Sequence, residues 1–310
     1  MKRPLIALTG STGFIGQAVL AGLSRRGMNV RVLLRRPMNV PEAASSAVIG
    51  DLASPQNMAA ALRDVDAVVH SAGIAHAMSG FPEDDYRAIN TEATIALARA
   101  AERAGVKRFV FLSSVRAQCG PSAPGILDES TEARPVDAYG RSKFEAEQGL
   151  VDLSIDWVAL RPVLVYGPGV KGNLAELLRI ARTPWPLPLG KFSGHRSLVS
   201  LEDLVAAIAL ALEAEGPLRR PLIVAEPEPL TVGEMVAALR HGFGRRPGLL
   251  PVPEALMSAA ARLTGRGELI ERLAGSLVAN PAHLMALGWQ PALAARDGLA
   301  QLARASASDV

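Results

Sequence analysis

Two kinds of hydrophobic pattern alternate through the first half of the chain. Short apolar runs recur as LIALTG (5–10), NVRVLLRR (29–36), SAVIGD (46–51), the 66–70 end of ALRDVDAVVH, KRFVFLSS (107–114) and DWVALRP (156–162). Longer stretches between them place apolar residues every three or four positions. An unbroken apolar run suits a strand buried on both faces, and the longer period suits a helix with one buried face. Helices are expected over roughly 13–26, 84–104 (Ala-rich, ending at Gly105) and 137–152. Strands alternating with helices predict an α/β fold built on a doubly wound parallel sheet.

After Pro162 the texture changes. VYGPGVKGN and TPWPLPLGKFSGH are rich in Gly and Pro, with helical stretches around them. The expected organisation is a first domain over 1–165 and a smaller C-terminal α/β domain over 166–195 and 227–310. Between these, 196–226 returns to the first domain through a helix near 197–214 and a strand near 220–226. No internal repeat or low-complexity tract is present, and RASASDV at the end reads as frayed.

Composition narrows the class without changing this picture. In 310 residues, 49% are hydrophobic and 20% charged, the proportions of an ordinary globular protein with an ample core. The net charge of +3 is mild and both signs are interspersed, so a nucleic-acid partner is not expected. Cys119 is the only cysteine, which excludes an internal disulfide and cysteine-rich metal sites, and His70, His76, His195, His241 and His283 show no metal-ligand spacing. No metal is therefore expected. The first ten residues read as a strand and not a leader, and no stretch has the ~18 apolar residues of a membrane span. A cytoplasmic location is the expectation.

Candidate chemistry lies at the C-terminal ends of the runs, where ligands collect in open α/β sheets. TGSTGFIG (9–16) sets Gly10, Gly13 and Gly16 directly after the first run, with Thr12, Phe14 and Ile15 in the same turn. Such glycines let backbone N–H groups approach a pyrophosphate at a helix N-terminus, which points to a Rossmann-type dinucleotide site. No acid occurs between Gly16 and Glu42, where an NAD-preferring fold carries one for the ribose 2′-hydroxyl; the second run ends instead in Arg35 and Arg36. A guanidinium there suits a 2′-phosphate, so NADP is expected, with NAD the alternative. Asp51 and Leu52 sit where an adenine would pass, and Ser71, Ala72 and Gly73 are small enough for a cofactor to pass closely. Ser113 and Ser114 end the fifth run. Tyr139 and Lys143, four apart at the start of a helix, share one face. A phenol beside an ammonium there is either a surface coincidence or an acid–base pair, the cation lowering the phenol pKa.

These segments, with GDL, VVHSAG, Asn90 in YRAINTEAT, YGRSK and LRPVLVYGPG, follow one another in a set order. Over about 1–215 the chain resembles the extended short-chain dehydrogenase/reductases, the nucleotide-sugar epimerases, dehydratases and reductases. VYGPGVKGN, RSLVSLEDLV and ALGW are similar to the bacterial branch of sugar-nucleotide 4-epimerases and 4-keto reductases that serve surface polysaccharides. The resemblance implies Tyr139 as acid/base, Lys143 lowering its pKa and bonding the nicotinamide ribose, and Ser114 bonding the reacting oxygen. It adds Asn90 and Pro162 to the cofactor site, and Asn173 and Arg196 at the diphosphate of a UDP-sugar. It also implies a homodimer through the helices at 84–104 and 137–152. Gln118 stands where many relatives carry Tyr, so contacts to the sugar are expected to differ. Cys119 reads as a filler, and His76 and Met78 as loop residues near the sugar. A reductase of a small non-nucleotide ketone and a non-catalytic NADP-binding regulator are the other readings of this fold.

Overall fold

The structure, a computed structural model, describes residues 3–42, 44–74, 81–263 and 274–308. His76 and Met78 lie outside them. Seven parallel strands form the central sheet: β1 (Leu5–Thr9), β2 (Asn29–Leu34), β3 (Ala44–Val48), β4 (Ala67–His70), β5 (Arg108–Leu112), β6 (Asp156–Pro162) and β7 (Arg220–Val224). Their order is β7-β6-β5-β4-β1-β2-β3. The chain winds from β1 outward to β3, then restarts at β4 on the other side of β1. In open α/β sheets the ligand crevice lies outside the strand ends at such a reversal, here at β1 and β4.

Alternation along each strand sends side chains to opposite faces. Ile6 and Leu8 of β1 pack with Val19 and Leu23 of α1 (Phe14–Arg25) and with Val205 and Ile208 of α5 (Leu201–Glu213). Ala7 points the other way, into a core with Phe109, Phe111, Leu97 of α2 (Ala93–Arg103) and Leu150 of α3 (Ala138–Val151). The third run was expected as a buried strand over 46–51. Its strand is Ala44–Val48 and largely exposed, because it is the sheet's edge and lacks a covering neighbour.

The Ala-rich helix is also not uniform. Arg87–Glu92 forms a π-helical segment ahead of α2. There the Thr94 hydroxyl donates to the Asn90 carbonyl at 2.6 Å, competing with the regular ladder, and such bulges gather at functional sites.

A third hydrophobic cluster lies beyond Pro162. Tyr166, Leu174 of α4 (Gly172–Ala181), Leu189, Phe192, Met235, Val236 and Leu239 of α6 (Val232–Gly242), and Leu299 of α7 (Ala295–Ser308) form it. Small pairings tie it to the sheet side: Leu164–Tyr166 runs parallel to Leu198–Ser200, and Ile126–Leu127 runs parallel to Val278–Ala279.

Candidate active site

The turn after β1 is built for close approach. Gly10 has φ +71°, and a Cβ on it would lie 2.5 Å from the Ala72 backbone nitrogen, so the ends of β1 and β4 touch there through backbone alone. Ser71 Oγ donates to the Thr9 carbonyl at 2.7 Å and fixes that junction. α1 starts at Phe14, after Gly13, with no side chain capping it. Its first N–H groups thus face the crevice with the positive end of the helix dipole, which fits the pyrophosphate of a dinucleotide. Gly73 is held just as tightly: a Cβ there would lie 2.7 Å from Asn90 Oδ1 and 3.4 Å from Lys143 Nζ.

Asn90 itself is fully buried. Its Oδ1 accepts from the Ile74 amide at 2.8 Å, and its Nδ2 donates to the Ile74 carbonyl and to Ser142 Oγ, each at 3.1 Å. This side chain pins the loop after β4 to α3.

α3 begins at Ala138 because Asp137 caps it, accepting from the Gly140 amide at 2.7 Å. That start places Tyr139 half-buried at the crevice mouth, edge-on to Tyr86 with ring centroids 6.3 Å apart. Tyr139 shares a side-chain hydrogen bond with Ser114. Ser114 Oγ also accepts from the Arg116 amide at 3.2 Å, the cap of a short turn beyond β5. One turn on, Lys143 is buried, donates to the Leu112 carbonyl at 2.9 Å, and lies 4.6 Å from the Phe111 ring centroid.

The electrostatics correct one expectation. Burial raises the Tyr139 pKa above the ordinary phenol value, and the Ser114 hydrogen bond offsets only part of this. Lys143 is not among the groups that shift it; its ammonium donates to the Leu112 carbonyl. Burial brings Lys143 itself to about 8 against the opposing pull of Glu147. His70, fully buried between Thr9 Oγ1 at 2.7 Å and Thr94 Oγ1 at 2.9 Å, is held neutral, lowered to about 3 by burial and by Lys143. Tyr139 is thus a neutral phenol, a proton donor at neutral pH.

The other predicted positions divide. Arg35 and Asp51 do come together, but in an exposed ion pair at 2.8 Å. Leu52 is half-buried against the second core, and Pro162 ends β6 in the interior. Arg196 reaches the loop that follows Ser114, donating to the Pro121 carbonyl at 3.0 Å, and burial and the Arg116 charge lower its pKa. Asn173 is exposed in the first turn of α4, and the structure does not draw it into this bonded set. Cys119 is buried, with its thiol pKa pushed up by burial, as a filler would be.

Gln118, where contacts to the sugar were expected to differ, is tied into the protein. Its Nε2 donates to the Asp128 and Thr131 carbonyls, and its Oε1 accepts from Arg161 Nη1 at 3.0 Å. Arg161 in turn binds Glu147, Nη2 to Oε2 at 2.5 Å, and Glu147 accepts a short bond from Ser113. Sequence reasoning passed over Glu147, Arg161 and Arg116. The available signal was Arg161 itself, a charge near the end of a strand that is apolar from Trp157 to Leu160, which must find a buried partner.

Residues 6–224 match the model of the NAD dependent epimerase/dehydratase family. The fold and this match settle the class: the chain belongs to that family. It is 34% identical over 311 residues to a UDP-glucose 4-epimerase of Vibrio cholerae, covering 97% of this chain and 94% of that one. It is 29% identical to a 3-diazoavenalumate denitrifying reductase of a Streptomyces species, covering 95% and 98%. Among solved structures, MoeE5 in complex with UDP-glucose and NAD superposes with a TM-score of 0.75 at 26% identity, covering 98% and 99%.

Proposed function

We propose that the protein is an NAD(P)-dependent enzyme acting at C4 of a UDP-sugar, as a 4-keto reductase or 4-epimerase in the supply of surface-polysaccharide sugars. The observation that carries this reading is the Ser114–Tyr139 hydrogen bond beside buried Lys143, at the crevice where the glycine turn would hold a dinucleotide. The nicotinamide, when bound, supplies or accepts the hydride. Ser114 would hold the reacting oxygen, and Tyr139 would give it a proton on reduction or take one on oxidation. A phenol kept neutral by burial favours the reductive direction, in which an alkoxide forming on the sugar needs a proton donor. The substrate layer would be formed by 166–195 and 227–310, with Arg196 at the diphosphate.

NADP remains the proposed cofactor and NAD the alternative. Asp51 competes for Arg35, but an exposed ion pair is worth only about 0–1 kcal/mol and opens readily for a 2′-phosphate. We also propose a homodimer through α2 and α3. Val151, 48% exposed, lies on α3, and that surface is otherwise mainly polar.

Absorbance at 340 nm in the presence of NADPH tests the reaction. Steady loss with a UDP-4-keto-sugar identifies a reductase; interconversion of UDP-sugars without net cofactor change identifies an epimerase. Turnover of neither removes the proposal. The likeness to the Streptomyces reductase favours, as a second reading, reduction of a small non-nucleotide compound, for which UDP would not bind.

A further inference from the structure

Beneath the site lies a continuous buried polar chain that joins four separate segments. Glu147 on α3 is bonded by Ser113 at the end of β5 and by Arg161 on β6, Nε to Oε1 at 3.0 Å and Nη2 to Oε2 at 2.5 Å. The two charged side chains are only 3% and 5% exposed. Arg161 passes the link to Gln118 at 3.0 Å, and Gln118 spends both its N–H groups on the carbonyls of Asp128 and Thr131. The loop over the sheet edge is therefore stitched to the same ion pair that holds the strand end beside Ser114. A buried pair of this kind is weak evidence for stability, since apolar residues would fill the space as well. Its contribution has to be sought in placement and charge.

The charge has an evident recipient. Lys143 lies one helical turn before Glu147, on the same buried face. Around its ammonium are the Phe111 ring from β5, the Leu112 carbonyl, and from β4 the neutral His70. Tyr139, one turn back on α3, is a neutral phenol. Glu147 is the carboxylate that acts on the lysine, and Arg161 is its buried ion-pair partner.

We propose that Glu147, held by Arg161, which Gln118 holds in turn, is the positioning residue of the site: it fixes Ser113 next to Ser114 and sets a buried carboxylate one helical turn from Lys143. The functional meaning rests on the catalytic reading above, but the physical test does not, so a failed sugar assay leaves it standing. The chain has five lysines, which makes ¹³Cε-lysine NMR titration of the whole ligand-free protein practical. The Lys143 resonance is assigned by its loss in Lys143→Arg. In the unaltered protein it should titrate near 8. Glu147→Gln keeps a hydrogen-bonding side chain and removes the charge, and should lower the midpoint by about one pH unit. A folded Glu147→Gln protein whose Lys143 midpoint does not move overturns the proposal. Gln118→Leu reads the other arm and serves alone if the glutamine variant does not fold. Amides at 128–134 should then exchange at least about tenfold faster while the Lys143 midpoint stays in place. Unaltered exchange there refutes the hold on the loop, and with it the proposal.

Discussion

Glu226→Gln should make the protein more stable at neutral pH and change how its stability depends on pH. Glu226 follows β7 and is 1% exposed. Its Oε1 accepts from the Ser200 amide at 2.8 Å and from the Tyr166 hydroxyl at 3.0 Å, and its Oε2 has no partner among the described residues. Burial raises its pKa from 4.5 to about 8, with the Asp203 carboxylate adding to the rise against these two hydrogen bonds. The native state thus keeps a proton that the unfolded chain releases. Stability is intact below about 4.5 and is lost progressively as pH rises toward about 8. At about 1.4 kcal/mol per pH unit, the loss has an upper bound of about 5 kcal/mol over the window and about 3 kcal/mol at pH 7. Glutamine keeps an acceptor for Tyr166 and Ser200 and cannot ionise. Urea unfolding of both proteins at pH 5, 6, 7 and 8 gives the difference directly, so other titrating groups cancel. The variant's advantage should grow with pH, by about one proton's slope below 8. Curves that stay parallel from pH 5 to 8 would refute a proton held at Glu226. The site matters beyond stability, because Glu226 joins the last sheet strand to the start of α5 and to Tyr166 of the third cluster.

Tyr139→Phe should lower turnover with a 4-keto UDP-sugar by about 10²–10⁴-fold while leaving NADPH affinity within a few-fold, by fluorescence titration; unchanged turnover removes Tyr139 from the chemistry. Arg35→Ala should weaken NADPH much more than NADH, since only the former carries a 2′-phosphate, and equal effects would leave Arg35 as the partner of Asp51 alone. Phe109→Ala, at a side chain with no exposure, should cost about 3–5 kcal/mol in urea unfolding, and a loss under 1 kcal/mol would contradict the packing of the second core.

Periodicity made the central sheet legible because its strands are apolar on both faces and its helices on one. The edge was misread for the same reason: Ala44–Val48 lacks a covering layer, so hydrophobic residues do not mark it well, and the apolar VIG drew the reading forward. Gly10 and Gly73 were legible because a close approach leaves a glycine in the sequence. Lys143 and Tyr139 lie one turn apart on one helix as expected, but their electrostatics depend first on burial, which no spacing reveals. Gln118 and Asn90 show the opposite difficulty. Both are polar residues, and only their bonds show how firmly each is tied into the protein interior.

Arg196 offers the sharpest test of the nucleotide reading. Burial, and after it the charge of Arg116, lower the pKa of Arg196, which lies against the loop after Ser114. Arg116 is largely neutralised by its ion pair with Asp137. Arg196 donates to the Pro121 carbonyl at 3.0 Å, in the loop that follows Ser114. A diphosphate is the part of a UDP-sugar that suits a guanidinium, and exchanging a carbonyl for a phosphate oxygen is favourable for a planar donor fork. Losing one charge-assisted contact should cost about 1.5–3 kcal/mol, about ten- to a hundredfold in affinity. Arg196→Ala should therefore weaken UDP and UDP-sugar by the same factor in calorimetry, because the diphosphate is common to both, and leave NADPH binding unchanged. Arg196→Lys should recover part of the loss, since charge returns without the fork. A loss confined to the UDP-sugar would move Arg196 from the diphosphate to the hexose. An intact protein that binds no UDP at all would remove the uridine nucleotide from the proposal and leave the small-ketone reductase as the reading that the site supports.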